Sequence, residues 1–145
     1  MIAPQSIAVR KMERSIWIIA GLCLLLAGCG LFDSGVVWRG GPYILSWIDL
    51  PDEVTLSYDI GKGTSVGRIE ARVFAVGWDG RYLVAKQHPA GDRKVTNFYI
   101  IDAQKDGPYV DEKKVVIGPL SEAEFKKKEV KLSLPEFSKE LSSLK

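Results

Sequence analysis

Alternating apolar and polar residues dominate the middle of the chain. Between Glu53 and Ile60, apolar side chains occupy every second position and polar side chains occupy the positions between them. A period of two with one polar face predicts a half-buried strand of an antiparallel sheet. The apolar face would comprise Val54, Leu56, Tyr58 and Ile60. Shorter runs of β-branched and aromatic residues predict further strands at 36–38, 43–49, 95–102 and 114–117.

Two longer apolar runs, at 67–78 and 81–88, are separated by Asp79-Gly80, a dipeptide typical of two-residue hairpin turns. Such a turn predicts the pairs Trp78–Arg81, Gly77–Tyr82, Val76–Leu83, Ala75–Val84 and Phe74–Ala85. In this register the missing side chain of Gly77 leaves room for the Tyr82 ring. Because both faces of the hairpin are largely apolar, we expect it to lie centrally and to be covered on both sides.

From about residue 121 the pattern becomes helical. Ser121 and Glu124 have the spacing of a capping box, which predicts a helix start at Ser121. Pro135 predicts the start of a second helix, whose apolar stripe would be Leu134, Phe137, Leu141 and Leu144. Strands followed by helices indicate an α+β domain. We therefore expect a mainly antiparallel β-sheet, either a sandwich or a curled meander, with one or two short C-terminal helices.

The N-terminus carries a different pattern. Residues 16–27 hold no charge, and Arg10, Lys11 and Arg14 precede them. A helix of this length measures about 18 Å, against about 30 Å for the hydrocarbon core of a bilayer, so the run fits a signal peptide better than a membrane span. Translation could start at Met1 or at Met12.

The run ends in Leu26-Ala27-Gly28-Cys29, which resembles the lipobox of bacterial lipoproteins at every position. The resemblance implies cleavage between Gly28 and Cys29 and covalent lipid on Cys29, so that the protein would meet a membrane through this anchor. We therefore divide the chain into a lipoprotein signal peptide (1–28), a lipidated tether (29–35) and one β-rich domain (36–145). Leu31 and Phe32 in the tether would either enter the lipid interface or pack on the domain.

Removal of the leader changes the charge balance. The whole chain has 20 basic and 18 acidic residues, and residues 1–28 hold three basic and one acidic, which leaves 17 of each. A neutral chain lacks the basic surface on which nucleic-acid binding depends. Since Cys23 leaves with the leader and Cys29 carries lipid, no disulfide is expected. The domain must be stabilised by its core alone.

Few residues are candidates for chemistry. His88, Asp92 and Arg93 share one polar loop and form a candidate site, but no serine motif for nucleophilic catalysis accompanies them, and we expect no catalytic residue. One histidine cannot supply a zinc site, so no metal and no cofactor beyond the lipid is expected. The glycines of 61–67 lack phosphate-loop spacing and indicate a hairpin loop. Ten aromatic residues lie between Trp38 and Tyr109; most should be buried, and one or two could line a groove for peptide or glycan.

Three segments together resemble a family of small bacterial lipoproteins with a domain of unknown function of the DUF3997-like kind. They are the hairpin at 72–87, the strand Phe98-Tyr99-Ile100-Ile101-Asp102 and the capped helix start at 117–125. The likeness covers roughly residues 43–137. Its motifs are structural, and the resemblance implies no assigned activity.

These observations favour a membrane-anchored bacterial lipoprotein, a non-enzymatic binding or structural component of the cell envelope. A protein or an envelope polymer would be its partner. The alternative is a small envelope enzyme or enzyme inhibitor that acts through the polar loops. A third hypothesis is a structural spacer without a ligand. Gly30 stands where an aspartate would resemble an inner-membrane retention signal, so the outer membrane is expected if the source is Gram-negative.

Overall fold

The first half of the domain forms a four-stranded antiparallel sheet, whose fourth strand begins within the segment 61–67 that the sequence assigns to a hairpin loop. A computed structural model describes residues 33–145, of which Ser34–Lys145 form one compact unit. The strands pair in chain order, and each is joined to the next by a short connection. Their bounds are β1 Ser34–Gly40, β2 Tyr43–Ile48, β3 Thr55–Gly61 and β4 Thr64–Ile69.

The second half forms a five-stranded sheet with the order β8-β7-β6-β5-β9. Its bounds are β5 Val73–Trp78, β6 Tyr82–Gln87, β7 Asn97–Asp102, β8 Val116–Leu120 and β9 Lys139–Glu140. Two helices, α1 Glu112–Val115 and α2 Glu122–Leu132, flank β8 in the chain. All pairs in both sheets are antiparallel, which confirms the predicted α+β class.

The two sheets share one core, as in a sandwich. Tyr43 and Leu56 of the first sheet belong to the same buried cluster as Val76 and Leu83 of the second. The Tyr43 and Trp78 rings meet edge to face across the sheets, with their centroids 5.5 Å apart. On the other face of the second sheet, Phe125 of α2 packs in a second buried cluster with Val84 and Phe98. The β5–β6 hairpin is therefore covered on both sides, as its composition predicts.

The predicted single strand at 67–78 is wrong. The chain leaves the first sheet after Ile69 and enters the second at Val73, and Arg72 adopts a left-handed backbone conformation with φ 70°. The side-chain amide of Gln87 donates to the carbonyls of Glu70 and Ala71 at 3.0 and 3.1 Å, which stabilises this crossing. Apolar side chains stand on either side of the crossing, at Ile69 and Val73, because both strands contribute to the same core.

The hairpin register also differs from the prediction, by two residues. Trp78 pairs with Leu83 and Gly77 with Val84, because the connection is longer than Asp79-Gly80. The Asp79 carboxylate accepts hydrogen bonds from the amides of Arg81 and Tyr82 at 2.8 and 2.7 Å, which stabilises the longer loop. A shift of two positions keeps the side chains of residues 75–78 on their predicted faces. A β-bulge between Val73 and Ala75 breaks the predicted alternation at Phe74.

Gly77 therefore does not make room for Tyr82. A Cβ at Gly77 would collide with the backbone carbonyl oxygen of Glu136, which belongs to the C-terminal segment. The absence of a side chain at this position lets that segment lie directly against β5.

Helix α2 begins as predicted, and the Ser121–Glu124 capping box is present. The helix predicted from Pro135 is wrong: this segment is extended, and its residues Lys139–Glu140 form β9. The amides of Ser138 and Leu141 donate to carbonyls of β5 at 3.0 and 2.7 Å. The open edge of β5 thus satisfies backbone groups that a helix would have satisfied internally. The predicted strand at 114–117 is shifted, because α1 occupies its first two residues.

Strand β1 begins at Ser34, two residues before the expected start of the domain. Ser34 and Gly35, which the sequence assigns to the tether, thus belong to the folded unit. The signal peptide, the cleavage position between Gly28 and Cys29 and the lipid on Cys29 lie outside the described residues. Among residues 33–145, no helix has the length and apolar character needed to cross a membrane.

Candidate functional site

His88, the first residue of the predicted loop site, is buried and held in place. Its side chain is 5 % exposed and its ring stacks on Phe74, with the centroids 4.2 Å apart. Nδ1 lies 2.8 Å from the carbonyl oxygen of Val95. Since a carbonyl can only accept, Nδ1 carries a proton and donates this hydrogen bond. Among the described residues Nε2 has no hydrogen-bond partner, and it is buried.

The other two residues of the predicted site have separate roles. The carboxylate of Asp92 accepts from the backbone amide of Lys94 at 2.9 Å, which closes a local turn. The guanidinium of Arg93 donates to the carbonyls of Ser143 and Lys145 at 2.9 and 3.3 Å. Arg93 therefore fixes the C-terminal segment to this loop. No hydrogen bond joins Asp92 to His88 within the part of the chain that the structure describes.

This arrangement does not suit acid–base catalysis. A general base must approach a substrate proton to within about 3 Å, and Nε2 of His88 is buried. A small cavity of about 20 Å³ adjoins the ring, with Asp52, Arg72 and Arg93 also in its wall. A volume of this size accommodates one water molecule. Across residues 33–145, no three His, Cys, Asp or Glu side chains are arranged to hold a metal ion.

A buried ion pair that the sequence did not predict joins β4 to the loop after β7. The guanidinium of Arg68 donates to the carboxylate of Asp106 through Nε and Nη2, with distances of 2.8 to 3.1 Å, and both side chains have 0 % exposure. The remaining donors of Arg68 reach the carbonyls of Gly67 and Gly107 at 3.0 and 2.8 Å. The pair fastens the loop after β7 to the first sheet.

Tyr43 completes this network. Its hydroxyl donates to the Asp106 carboxylate at 3.0 Å, and its side chain is fully buried. Burial, followed by the neighbouring negative charge of Asp106, raises the pKa of the Tyr43 phenol well above its usual range. The phenol thus remains a donor and neutral. A fully satisfied network of this kind is a structural device and leaves no group free for chemistry.

The outer face of the first sheet bears a groove of about 320 Å³. Its lining includes Val36, Ile44, Ser46, Trp47 and Ile48 of β1 and β2, together with residues 61–65 of the β3–β4 hairpin. The ion pair between Arg39 and Asp59, with 2.8 Å between Nη1 and Oδ2, also lies in this lining. The amide of Gly61 and then the Arg39 guanidinium lower the pKa of the Asp59 carboxyl, so this residue is anionic at neutral pH.

A groove of this volume, with apolar side chains and a few convergent polar groups, is typical of a site for a small ligand or a short extended segment. Trp47 in its floor agrees with the expectation that one or two aromatic residues line a groove. The groove is formed by residues from β1 to β4 that are distant in sequence, so no local sequence motif predicts it.

Comparison with known proteins gives a family but no activity. No curated protein and no solved structure matches the chain. A family model described as "Protein of unknown function (DUF3997)" matches residues 42–145, which include the second sheet, α2 and most of the first sheet. The chain therefore belongs to the DUF3997 family.

Proposed function

We propose that this chain is a lipid-anchored, non-enzymatic binding or structural component of the bacterial cell envelope. The lipobox Leu26-Ala27-Gly28-Cys29, preceded by a short uncharged run and basic residues, carries the proposal. Each buried methylene of an attached acyl chain contributes about 0.8 kcal/mol, and two chains give stable anchoring.

The folded unit is compatible with an anchor at Cys29. Strand β1 starts at Ser34, and five residues span at most about 18 Å when fully extended. The domain would therefore stay close to the membrane surface. Partners within the envelope, rather than distant ones, fit this short reach.

Two observations favour binding over catalysis. His88 is the one histidine of the chain, and its ring is buried against Phe74 and committed to the Val95 carbonyl. The groove on the first sheet has the size for a ligand segment but presents the Arg39–Asp59 ion pair rather than an activated nucleophile. A protein segment or an envelope polymer would occupy it.

Metabolic labelling with palmitate tests the anchor. Wild type should incorporate label and be processed, whereas Cys29→Ala should remain unlabelled and uncut. Cys23→Ala is the matched control, since it removes the other cysteine of the chain and should leave labelling intact. Labelling that persists in Cys29→Ala would refute the proposal.

Crosslinking in intact envelopes tests the binding role. Wild type should recover a specific partner that Cys29→Ala does not recover. Ser65→Trp, which places a large side chain at the groove, should reduce this recovery, whereas Val130→Trp on α2 should not. Failure to recover any specific partner under several growth conditions would contradict a binding role.

A further inference from the structure

The end of the first sheet where the chain enters the folded unit carries an exposed apolar patch. Ile48 is 68 % exposed, Leu50 is 60 % exposed and Val36 is 50 % exposed. Ile48 is the partner of Ser34, and Val36 is the partner of Ser46, so Ile48 and Val36 project from one face of neighbouring strands. Leu50 follows in the next turn, where its amide donates to the Ile48 carbonyl at 2.7 Å. We call Val36, Ile48 and Leu50 the entry patch.

The length of the tether limits how far the entry patch can lie from the expected lipid attachment. Neighbouring strands lie about 5 Å apart, so the backbone of Ile48 is close to that of Ser34. The five residues from Cys29 to Ser34 reach at most about 18 Å. The tether therefore holds the entry patch within a short distance of the acyl chains, and Leu31 and Phe32 add apolar side chains to the connecting segment.

We propose that the entry patch is a membrane contact, through which the anchored domain rests on the lipid surface in one orientation. This inference depends on the proposed lipid anchor. It adds that the anchor is not a free tether: the apolar side chains of the patch enter the interface and fix which face of the domain meets the bilayer.

The charges around the patch indicate how it binds. Asp49 and Asp52 flank Leu50 in the chain and are exposed. Asp52 and Arg93 line the same small cavity, so the loop with exposed Lys94 lies at this end of the domain as well. Charges of both signs surround the patch, and the contact therefore rests on apolar insertion and not on attraction to anionic lipid. High salt, which screens exposed charges, should leave it unchanged.

Helix α2 offers a matched control. Val130, on α2, is 83 % exposed and is also apolar. Glu122, at the start of α2, shares a cavity with Lys94, which places this end of the helix near the entry-patch end. Val130 lies eight residues further along α2, a distance of about 12 Å. It should face away from the lipid.

Site-directed fluorescence in vesicles tests the proposal on the lipidated, full-length protein. Ile48→Cys, Leu50→Cys and Val130→Cys are each labelled with an environment-sensitive thiol probe in vesicles of zwitterionic lipid, some doped with a spin-labelled lipid that quenches at headgroup depth. The probes at 48 and 50 should show blue-shifted emission and strong quenching, in low and in high salt. The probe at 130 should show neither.

The outcomes separate the two proposals. If Cys29 is not lipidated, wild type itself will react with the thiol probe and will not associate with vesicles, which contradicts the anchor. If wild type is lipidated and associates but the probes at 48 and 50 are not quenched, the membrane contact is refuted while the anchor stands. Blue-shifted emission without lipid quenching would mean that a protein, such as a second copy, covers the patch, and equal quenching at 130 would mean that no orientation is fixed. Either result overturns the inference.

Discussion

Removal of the negative charge at Asp106 should destabilise the domain more than any other single loss of charge in its ion pairs. Asp106→Asn keeps the size of the side chain but leaves the Arg68 guanidinium buried without a counter-ion. Both side chains have 0 % exposure, and Arg68 donates to Asp106 from Nε and Nη2. Breaking a buried pair by removing one partner typically costs about 3–5 kcal/mol. Since a whole domain is stable by only about 5–15 kcal/mol, this loss is a large part of the total.

Urea unfolding followed by tryptophan fluorescence measures the effect, because Trp38, Trp47 and Trp78 all lie in the folded unit. The midpoint should fall while the slope of the transition remains the same, as for a change in stability without a change in compactness. Lys126→Gln is the control. It breaks the exposed pair with Glu122, whose side chains are both 66 % exposed, and pairs of this kind contribute about 0.3–0.5 kcal/mol.

A double variant distinguishes the cause of the loss. If the cost arises from the uncompensated charge of Arg68, then Arg68→Met combined with Asp106→Asn should be more stable than Asp106→Asn alone. If the lost contacts themselves were decisive, the two changes would add. A single variant Asp106→Asn within about 1 kcal/mol of wild type would refute the role assigned to this pair.

Three further predictions concern other parts of the fold. Gly77→Ala should displace the C-terminal segment from β5, because the new Cβ would collide with the Glu136 carbonyl. Hydrogen exchange at the amides of Ser138 and Leu141 should then become faster. Gly67→Ala is the control, since the space around its Cβ is open, and it should leave this exchange unchanged. The pKa of Tyr43 is raised in the folded state, so its contribution to stability is fully present below about pH 10, the pKa of the unfolded phenol, and is lost as the pH rises towards the folded pKa. When the free energy of unfolding is measured at increasing alkaline pH, it should therefore decline more steeply for wild type than for Tyr43→Phe. Hydrogen bonds from Ser121 lower the pKa of Glu124, so Ser121→Ala should raise that pKa towards its ordinary value in an NMR titration, and an unchanged pKa would show that the capping box does not form in solution.

The features that the sequence predicted correctly depend on local patterns. The alternation around β3 places Val54 and Leu56 in the core, and the Ser121–Glu124 spacing places the start of α2. The predicted faces of residues 75–78 in the β5–β6 hairpin are also correct, although its register is not and a β-bulge changes the alternation at Phe74. The side chain of Asp79 accounts for the difference, since it supports a loop longer than the dipeptide Asp79-Gly80 indicates.

The features that the sequence did not predict depend on partners that are distant in the chain. Arg68 and Asp106 are separated by 38 positions, and no pattern links a lone arginine in a strand to an aspartate in a turn. The C-terminal segment has helical spacing, but the open edge of β5 offers backbone partners that only the folded sheet creates. For the candidate site, proximity in sequence was misleading: His88 and Asp92 bind backbone groups of their own loop, at Val95 and Lys94, whereas Arg93 binds the C-terminal segment.

His88 and Arg93 stabilise the end of the domain at which the chain enters the folded unit. At the entry end, Arg93 donates to the C-terminal carbonyls and the His88 ring packs against Phe74, so the loop is joined to the C-terminal segment and to β5. An oriented membrane contact requires such connections, because a patch on a mobile loop would not transmit its orientation to the sheets. Val36 and Ile48 of the entry patch also line the groove on the first sheet. If the patch fixes the sheet on the lipid surface, this part of the groove faces the lipid, and a partner must reach the groove from the side of Arg39 and Asp59.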